Sequence, residues 1–130
     1  MARRSNIDST GTSYHRVNIL ATPAELIKKF GEPQWGYNDG KDKVNMEWVL
    51  ETTEYPNEWD VPLGTVFTIY DWKEGKPLFE DDIVEWHIGA NSSIISWQAQ
   101  HEVNNWDVLN LEKQGVDKKD INVMRDLGLF

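Results

Sequence analysis

Two segments of the chain, residues 44–51 and 83–88, alternate apolar and polar residues with a period of two, which is the pattern of a half-buried β-strand. A third segment, residues 65–72, is dense in the β-branched and aromatic side chains that strands favour. Because consecutive strands usually lie side by side, we expect a three-stranded antiparallel meander. A shorter apolar segment at 17–20 is expected to join it as a fourth strand.

The start of a helix is indicated by Thr22-Pro23-Ala24-Glu25. Thr is a good N-cap, Pro suits the first helical position, and a Glu three residues after the cap completes a capping box. We predict that this helix ends at Phe30, because Gly31 allows a left-handed stop and Pro33 prevents continuation.

A second, longer helix is predicted after the turn at 89–93, since apolar residues recur there at three- and four-residue spacing. These residues are Ile95, Ala99, Val103, Trp106 and Leu109. A last short helix is expected from Asp117 to about Asp126, ended by Gly128.

These elements predict an α+β fold in which an antiparallel meander of three to four strands carries one long helix packed across it, with short N- and C-terminal helices. Residues 1–13 are polar and rich in Ser, Thr and Gly, so we expect a flexible N-terminal arm. A single domain is expected over residues 14–130, which is an ordinary length for one hydrophobic core.

The charge balance disfavours nucleic acid as a partner. The chain has 13 Lys and Arg against 22 Asp and Glu, a formal net charge of −9, and the basic residues are scattered among acidic ones. Such a surface repels a phosphate backbone and suits a basic protein partner. The absence of cysteine excludes disulfides, thiolate nucleophiles and thiolate zinc sites. No run of 18 apolar residues occurs, so we expect a cytoplasmic protein without a membrane partner.

The loop expected at 53–64 is the first candidate site. It is long for a hairpin connection and carries Tyr55 and Trp59 beside the acidic residues Glu58 and Asp60. Aromatic anchors in a charged rim are typical of a protein-binding hot spot. The alternative is structural, with Trp59 folded back to cover an edge of the sheet.

A second candidate site would bind a small phosphorylated ligand. Trp72 offers a ring for stacking and Lys73 a contact for an anion, with His87 on the next strand. The turn before the long helix adds free backbone N–H groups and the polar side chains Asn91, Ser92 and Ser93, although simple capping of the helix by Asn91 or Ser92 is the commoner role of such residues.

Catalytic and metal sites find less support. If the loop 73–82 closes a hairpin, His87 pairs with Thr68, which places Asp71 about 10 Å away on the opposite face and excludes a direct His87–Asp71 dyad. The histidines have no partner at metal-ligand spacing. We therefore expect no cofactor and no metal.

Four short motifs together resemble a pattern of small accessory proteins of tailed bacteriophages. They are Phe30-Gly31-Glu32-Pro33, Glu47-Trp48, the strand 67–73 and Trp86-His87-Ile88-Gly89. The resemblance runs from about Tyr14 to Trp106 and implies a viral accessory protein in a bacterial cytoplasm. The loop 53–64 is longer than the turn expected at this place in such proteins.

Three functions follow as hypotheses. The first is a non-enzymatic phage accessory protein that binds a host protein, as an agent of host takeover or an inhibitor of host defence. The alternative is a module that captures a small phosphorylated ligand such as a nucleotide signal. A small hydrolase using His87 is the third, and exposed strand edges leave a homo-oligomer open.

Overall fold

The computed structural model describes residues 2–7, 9 and 11–113, with the side chains of residues 104–113 left undescribed. It contains a five-stranded antiparallel sheet in the order β1-β3-β4-β5-β2. The strands are β1 Arg3–Arg4, β2 Ser13–Ala21, β3 Glu47–Glu51, β4 Val66–Tyr70 and β5 Val84–Ala90, and the helices are α1 Pro23–Phe30 and α2 Ser93–Lys113.

The chain is of the α+β type, but the predicted meander of three to four strands with one long helix and two short terminal helices is wrong. A fifth strand, β1, lies within residues 1–13, where a flexible arm was predicted. It has only two residues and both are Arg, so no periodicity marks it. The helix predicted from Asp117 to Asp126 lies outside the described residues.

Helix α1 has the bounds that its capping residues predict. The backbone N–H of Glu25 donates to Oγ1 of Thr22 at 3.2 Å, and Pro23 occupies the first turn. At the other end Gly31 has a φ of 78°, and its N–H donates to the carbonyl of Ile27. A residue with a side chain would be strained in that conformation, which explains why the helix stops there.

One face of the sheet carries the hydrophobic core. Trp48 and Trp86 meet edge to face there, with ring centroids 5.4 Å apart. Each indole N–H is satisfied, donating to the carbonyl of Gly31 or Ala21 at 2.8 and 2.9 Å. Both tryptophans are fully buried, so these hydrogen bonds are what makes burial of their polar N–H groups tolerable. Buried side chains of both helices join the same cluster.

The opposite side of the sheet, here called the second face, carries the alternate residues. Glu47 lies directly opposite Tyr70, and Tyr70 directly opposite His87, so their side chains share this face. All three are only half-buried. The second face is therefore the side of the sheet on which polar and aromatic groups remain accessible.

The outer edge of β3 is covered by pieces of chain that are distant in sequence. The N–H of Ser5 donates to the carbonyl of Val49, and Trp35 exchanges two backbone hydrogen bonds with Glu47. Between them the side-chain amide of Gln34 donates to the Val49 carbonyl at 2.9 Å and accepts from its N–H at 3.2 Å. A side chain thus takes the place of a peptide group in the ladder.

No helix in the described part of the chain combines the length and the apolar character that crossing a membrane would need.

Candidate functional site

The loop between β3 and β4 is an ordered structure held by its own polar groups. Thr52 closes its base, because its carbonyl accepts from the N–H of Gly64 and its hydroxyl donates to the carbonyl of Pro62, both at 2.9 Å. Inside the loop Asn57 donates to the carbonyls of Glu54 and Val61 and accepts from the N–H of Val61. These bonds fix the backbone that carries the predicted aromatic residues.

Helix α2 anchors this loop. The buried carboxylate of Glu102 accepts from the N–H of Thr53 at 2.9 Å and from the side-chain amide of Gln98 at 2.8 Å. Trp59 packs on the same helix, with its ring 6.5 Å from that of Trp97 and 6.3 Å from that of His101. Trp59 therefore packs on a helix, where the structural alternative expected it to cover an edge of the sheet.

The predicted protein-binding residues share one surface. The hydroxyl of Tyr55 donates to Asp60 at 3.0 Å, and this bond to a carboxylate raises the pKa of Tyr55. Glu58 is exposed and Trp59 is half-buried. Exposed apolar side chains continue the area, with exposures of 61% for Leu63 and 45% for Trp97. We call this area the loop–helix surface, and it comprises Tyr55, Glu58, Trp59, Asp60, Leu63 and Trp97.

A cavity of about 250 Å³ lies within the loop–helix surface, between the loop and α2. Glu54, Glu58 and Trp59 line it from the loop, and Gln98 and His101 from the helix. The buried Oε1 of Gln98 has no hydrogen-bond partner among the described residues. No Lys or Arg occurs between residues 52 and 65, so the surroundings of the cavity are acidic and aromatic.

A second group of aromatic residues lies on the second face. Tyr14 stacks on His87, with ring centroids 3.9 Å apart and an interplanar angle of 11°. Tyr70 meets His87 edge-on at 5.5 Å, and Trp72 lies 6.2 Å from both Tyr70 and His87. We call these four residues the aromatic cluster. Trp72 and Tyr14 are 40% and 38% exposed, so the cluster presents ring surface to solvent.

A bulge in β2 places Tyr14 over His87. Tyr14 pairs with Gly89 and Asn18 with His87, so four steps along β2 match only two along β5. Arg16 takes up the extra length in a left-handed conformation with φ 63°. The hydroxyl of Tyr14 then reaches Oδ1 of Asn18 at 2.8 Å, which fixes the ring.

Two lysines flank the aromatic cluster. The Nζ atoms of Lys43 and Lys73 lie 5.8 and 5.6 Å from the centroid of Trp72. Their backbones are joined, because the N–H of Lys73 donates to the carbonyl of Lys43 at 2.7 Å. Lys73 has a φ of 54°, a conformation that is uncommon for a residue other than Gly. The two charges are thus brought together from separate parts of the chain.

A cavity of about 200 Å³ opens beside Tyr70 and Trp72. Its other lining residues are Thr12, Ser13, Val44, Glu47, Thr68 and Gly89. Burial raises the pKa of Glu47, and burial followed by the charge of Glu47 raises the pKa of Tyr70. The Glu47 carboxyl forms no hydrogen bond or ion pair within the described residues, so its polar atoms remain available.

The predicted ligand site is brought together only in part. Trp72, Lys73 and His87 meet on the second face, with Lys73 and His87 both close to the ring of Trp72. Asn91 and Ser93 are not among the residues that line the cavity there. Ser92 serves as the cap of α2, since its hydroxyl accepts from the N–H of Ile95 at 3.3 Å. Its hydroxyl is therefore already used at the helix start.

Sequence reasoning missed Tyr14, Lys43, Glu47 and Tyr70 as members of this site. The alternation of β3 and β4 already places Glu47 and Tyr70 on the side opposite the core. That pattern could have found both once the strands were paired correctly. Tyr14 depends on the β2 bulge and Lys43 on a loop contact, for which the sequence carries no periodic signal.

His87 and Asp71 form no dyad. The predicted register was wrong, because His87 pairs with Tyr70 instead of Thr68. A shift of two residues keeps the side of the sheet, so Asp71 still faces away from His87. The buried Asp71 carboxylate instead accepts from the backbone N–H groups of Asn45 and Met46. Burial lowers the pKa of His87, against the smaller opposing effects of Glu85 and Asp71.

No group of three or more His, Asp or Glu side chains within the described residues is arranged to hold a metal ion.

Comparisons with protein-family models, with curated proteins and with solved structures found no match for this chain.

Proposed function

We propose that this protein is a non-enzymatic binding protein whose loop–helix surface captures a basic segment of a partner protein. The observation that carries the proposal is the packing of Trp59 on Trp97, which presents adjoining aromatic rings beside the exposed acid Glu58. Aromatic anchors surrounded by charge are enriched in the energetic centres of protein interfaces.

Preorganisation supports the proposal. The loop is fixed by Thr52 and Asn57 and anchored to α2 through Glu102, so its shape is set before a partner arrives. Binding then avoids much of the entropy cost of ordering a flexible loop. The cavity beside Trp59 is lined by Glu54 and Glu58, and a Lys or Arg side chain that enters it would meet both aromatic and acidic groups.

The biological setting is proposed from the phage resemblance together with this surface. The partner is a host protein in a bacterial cytoplasm, and the complex serves host takeover or counters a host defence. An acidic surface without Lys or Arg in the loop favours a basic partner and a salt-sensitive association.

The test is a pull-down of tagged full-length protein from a bacterial host lysate, with mass spectrometry of what is retained. We expect one protein in stoichiometric amount that is lost in Trp59→Ala and in Glu58→Lys. The second variant changes an exposed charge and leaves the packing intact. Trp35→Ala is the matched control, because Trp35 is a 63% exposed tryptophan outside the loop–helix surface. Undiminished capture by Trp59→Ala would contradict the proposal.

A further inference from the structure

The aromatic cluster and the neighbouring cavity lie apart from the loop–helix surface, and they combine three kinds of chemistry. Tyr70 and Trp72 supply ring surface at the cavity wall. Glu47 supplies a carboxyl group within the cavity. Lys43 and Lys73 supply two positive charges beside Trp72. A planar ring, a hydrogen-bonding edge and an anion can therefore all be recognised within one small area.

We propose that this site binds a nucleotide whose base has adjacent N–H groups, as guanine does. The base enters the cavity against Tyr70 and Trp72, its N–H groups donate to Glu47, and its phosphate is held by Lys43 and Lys73. Aromatic side chains stack on bases, and a carboxylate can accept two parallel N–H hydrogen bonds.

Gly89 allows close packing of the side chains at the wall of the cavity. Gly89 lies directly opposite Thr68, and a Cβ atom at Gly89 would stand 2.5 Å from Oγ1 of Thr68 and 3.4 Å from the ring of Tyr70. The missing side chain therefore lets Thr68 and Tyr70 pack close to the backbone of Gly89. Thr12 and Ser13 add further polar groups at the rim.

The cavity and the two lysines would bind different parts of the nucleotide, the base inside the cavity and the phosphate outside it. The cavity of about 200 Å³ is small compared with the usual ligand pocket of roughly 300–1,000 Å³, so it suits a ring better than a whole nucleotide. The phosphate remains outside, where the exposed lysines stand at about the 6 Å limit of cation–π contact and are able to turn toward an anion. The net charge of −9 opposes a longer nucleic acid.

The experiment is isothermal titration of the full-length protein with GMP, AMP, CMP, UMP, guanosine, inorganic phosphate and a single-stranded oligonucleotide. We expect GMP to bind most tightly, guanosine about tenfold more weakly, and inorganic phosphate not measurably. Lys43→Gln with Lys73→Gln should reduce GMP to the affinity of guanosine and leave guanosine unchanged. Glu47→Gln should remove the preference for GMP over AMP.

Trp72→Ala should abolish binding, whereas Trp97→Ala on the loop–helix surface should leave it unchanged. Absence of binding by all four nucleotides would overturn the proposal. So would an affinity for GMP that is unchanged in the double lysine variant, or tighter binding of a single-stranded oligonucleotide than of GMP. The lysine variants change only exposed side chains, so they remain informative if Trp72→Ala fails to fold.

Discussion

Asp71 binds Asn45 through two hydrogen bonds where the end of β4 meets the entry to β3. Its carboxylate accepts from the backbone N–H and the side-chain amide of Asn45, at 2.7 and 2.9 Å, and from the N–H of Met46 at 2.9 Å. The same Asn45 amide donates to the carbonyl of Lys76. The end of β4, the entry to β3 and the loop before β5 are thereby tied to one buried carboxylate.

We therefore expect Asp71→Ala to lower the free energy of unfolding by about 3 kcal/mol, because three buried donors lose their acceptor. Urea denaturation followed by tryptophan fluorescence measures the change. Asp81→Ala, which removes an exposed carboxylate, should change the unfolding free energy by less than about 0.5 kcal/mol. Equal midpoints for Asp71→Ala and the unsubstituted protein would contradict this account.

The contact between Gly89 and Thr68 predicts a double-mutant effect. Gly89→Ala should destabilise the protein by about 2 kcal/mol, since the new Cβ would lie 2.5 Å from Oγ1 of Thr68. Thr68→Ala removes that oxygen, so the cost of Gly89→Ala should fall by about 1 kcal/mol in its presence. Additive changes in the unfolding free energy would show that another contact sets the requirement for Gly.

The lowered pKa of His87 predicts a pH dependence of stability. Burial disfavours the charged imidazole in the folded state, so the unfolded chain binds a proton more readily. The stabilisation is present above the ordinary histidine pKa of 6.5 and is lost as the pH falls through the lower, folded value. Unfolding free energies of the protein and of His87→Gln, measured between pH 8 and 5, should differ in slope in this window.

His101→Gln is the matched control for that pH series, because it makes the same replacement at an exposed position of α2. The comparison separates the effect of the position from the effect of the replacement itself. A profile of His87→Gln that runs parallel to that of the unsubstituted protein would assign the pH dependence to other groups.

The anchoring of the loop by Glu102 predicts a local effect. Glu102→Ala leaves the N–H of Thr53 and the amide of Gln98 without their acceptor, so the loop should open more often. Hydrogen exchange followed by mass spectrometry should show faster exchange of the backbone amides at residues 53–64. This increase should be larger than any increase in β4, which reports the loss of global stability. Gln100→Ala removes another polar contact of α2, to the carbonyl of Asn18, and should leave loop exchange unchanged.

The helices could be located from the sequence because their signals act between neighbouring residues. The pairing of the strands could not, because it depends on contacts between distant parts of the chain. Thr22, Pro23 and Gly31 act on their immediate neighbours, so α1 was predicted with its observed bounds. The pairing of β4 with β5 depends on the course of the loop between them, where Asn38 binds the backbone of Leu78 from a distant part of the chain. No periodic pattern encodes such a contact, and the predicted register was two residues out.

The same distinction between local and long-range contacts applies to the residues of the two candidate sites. Tyr55 and Trp59 could be named as candidates because one continuous loop carries them. Their helical partner Trp97 was missed, since the packing of a loop on a helix is a tertiary contact. On the second face Trp72 and His87 could be named as candidates, but Glu47 requires the pairing of β3 with β4 before it can be placed beside Tyr70.

The Gln34 amide on Val49 has a consequence for how copies of the protein meet. An uncovered edge strand is a template on which another chain can add a strand, and this is a common route to aggregation. By imitating a peptide unit on both polar groups of Val49, Gln34 leaves this stretch of the β3 edge without a vacant backbone position. Another chain therefore finds no backbone position at Val49 on which to add a strand, although the exposed ring of Trp35 lies at the same border.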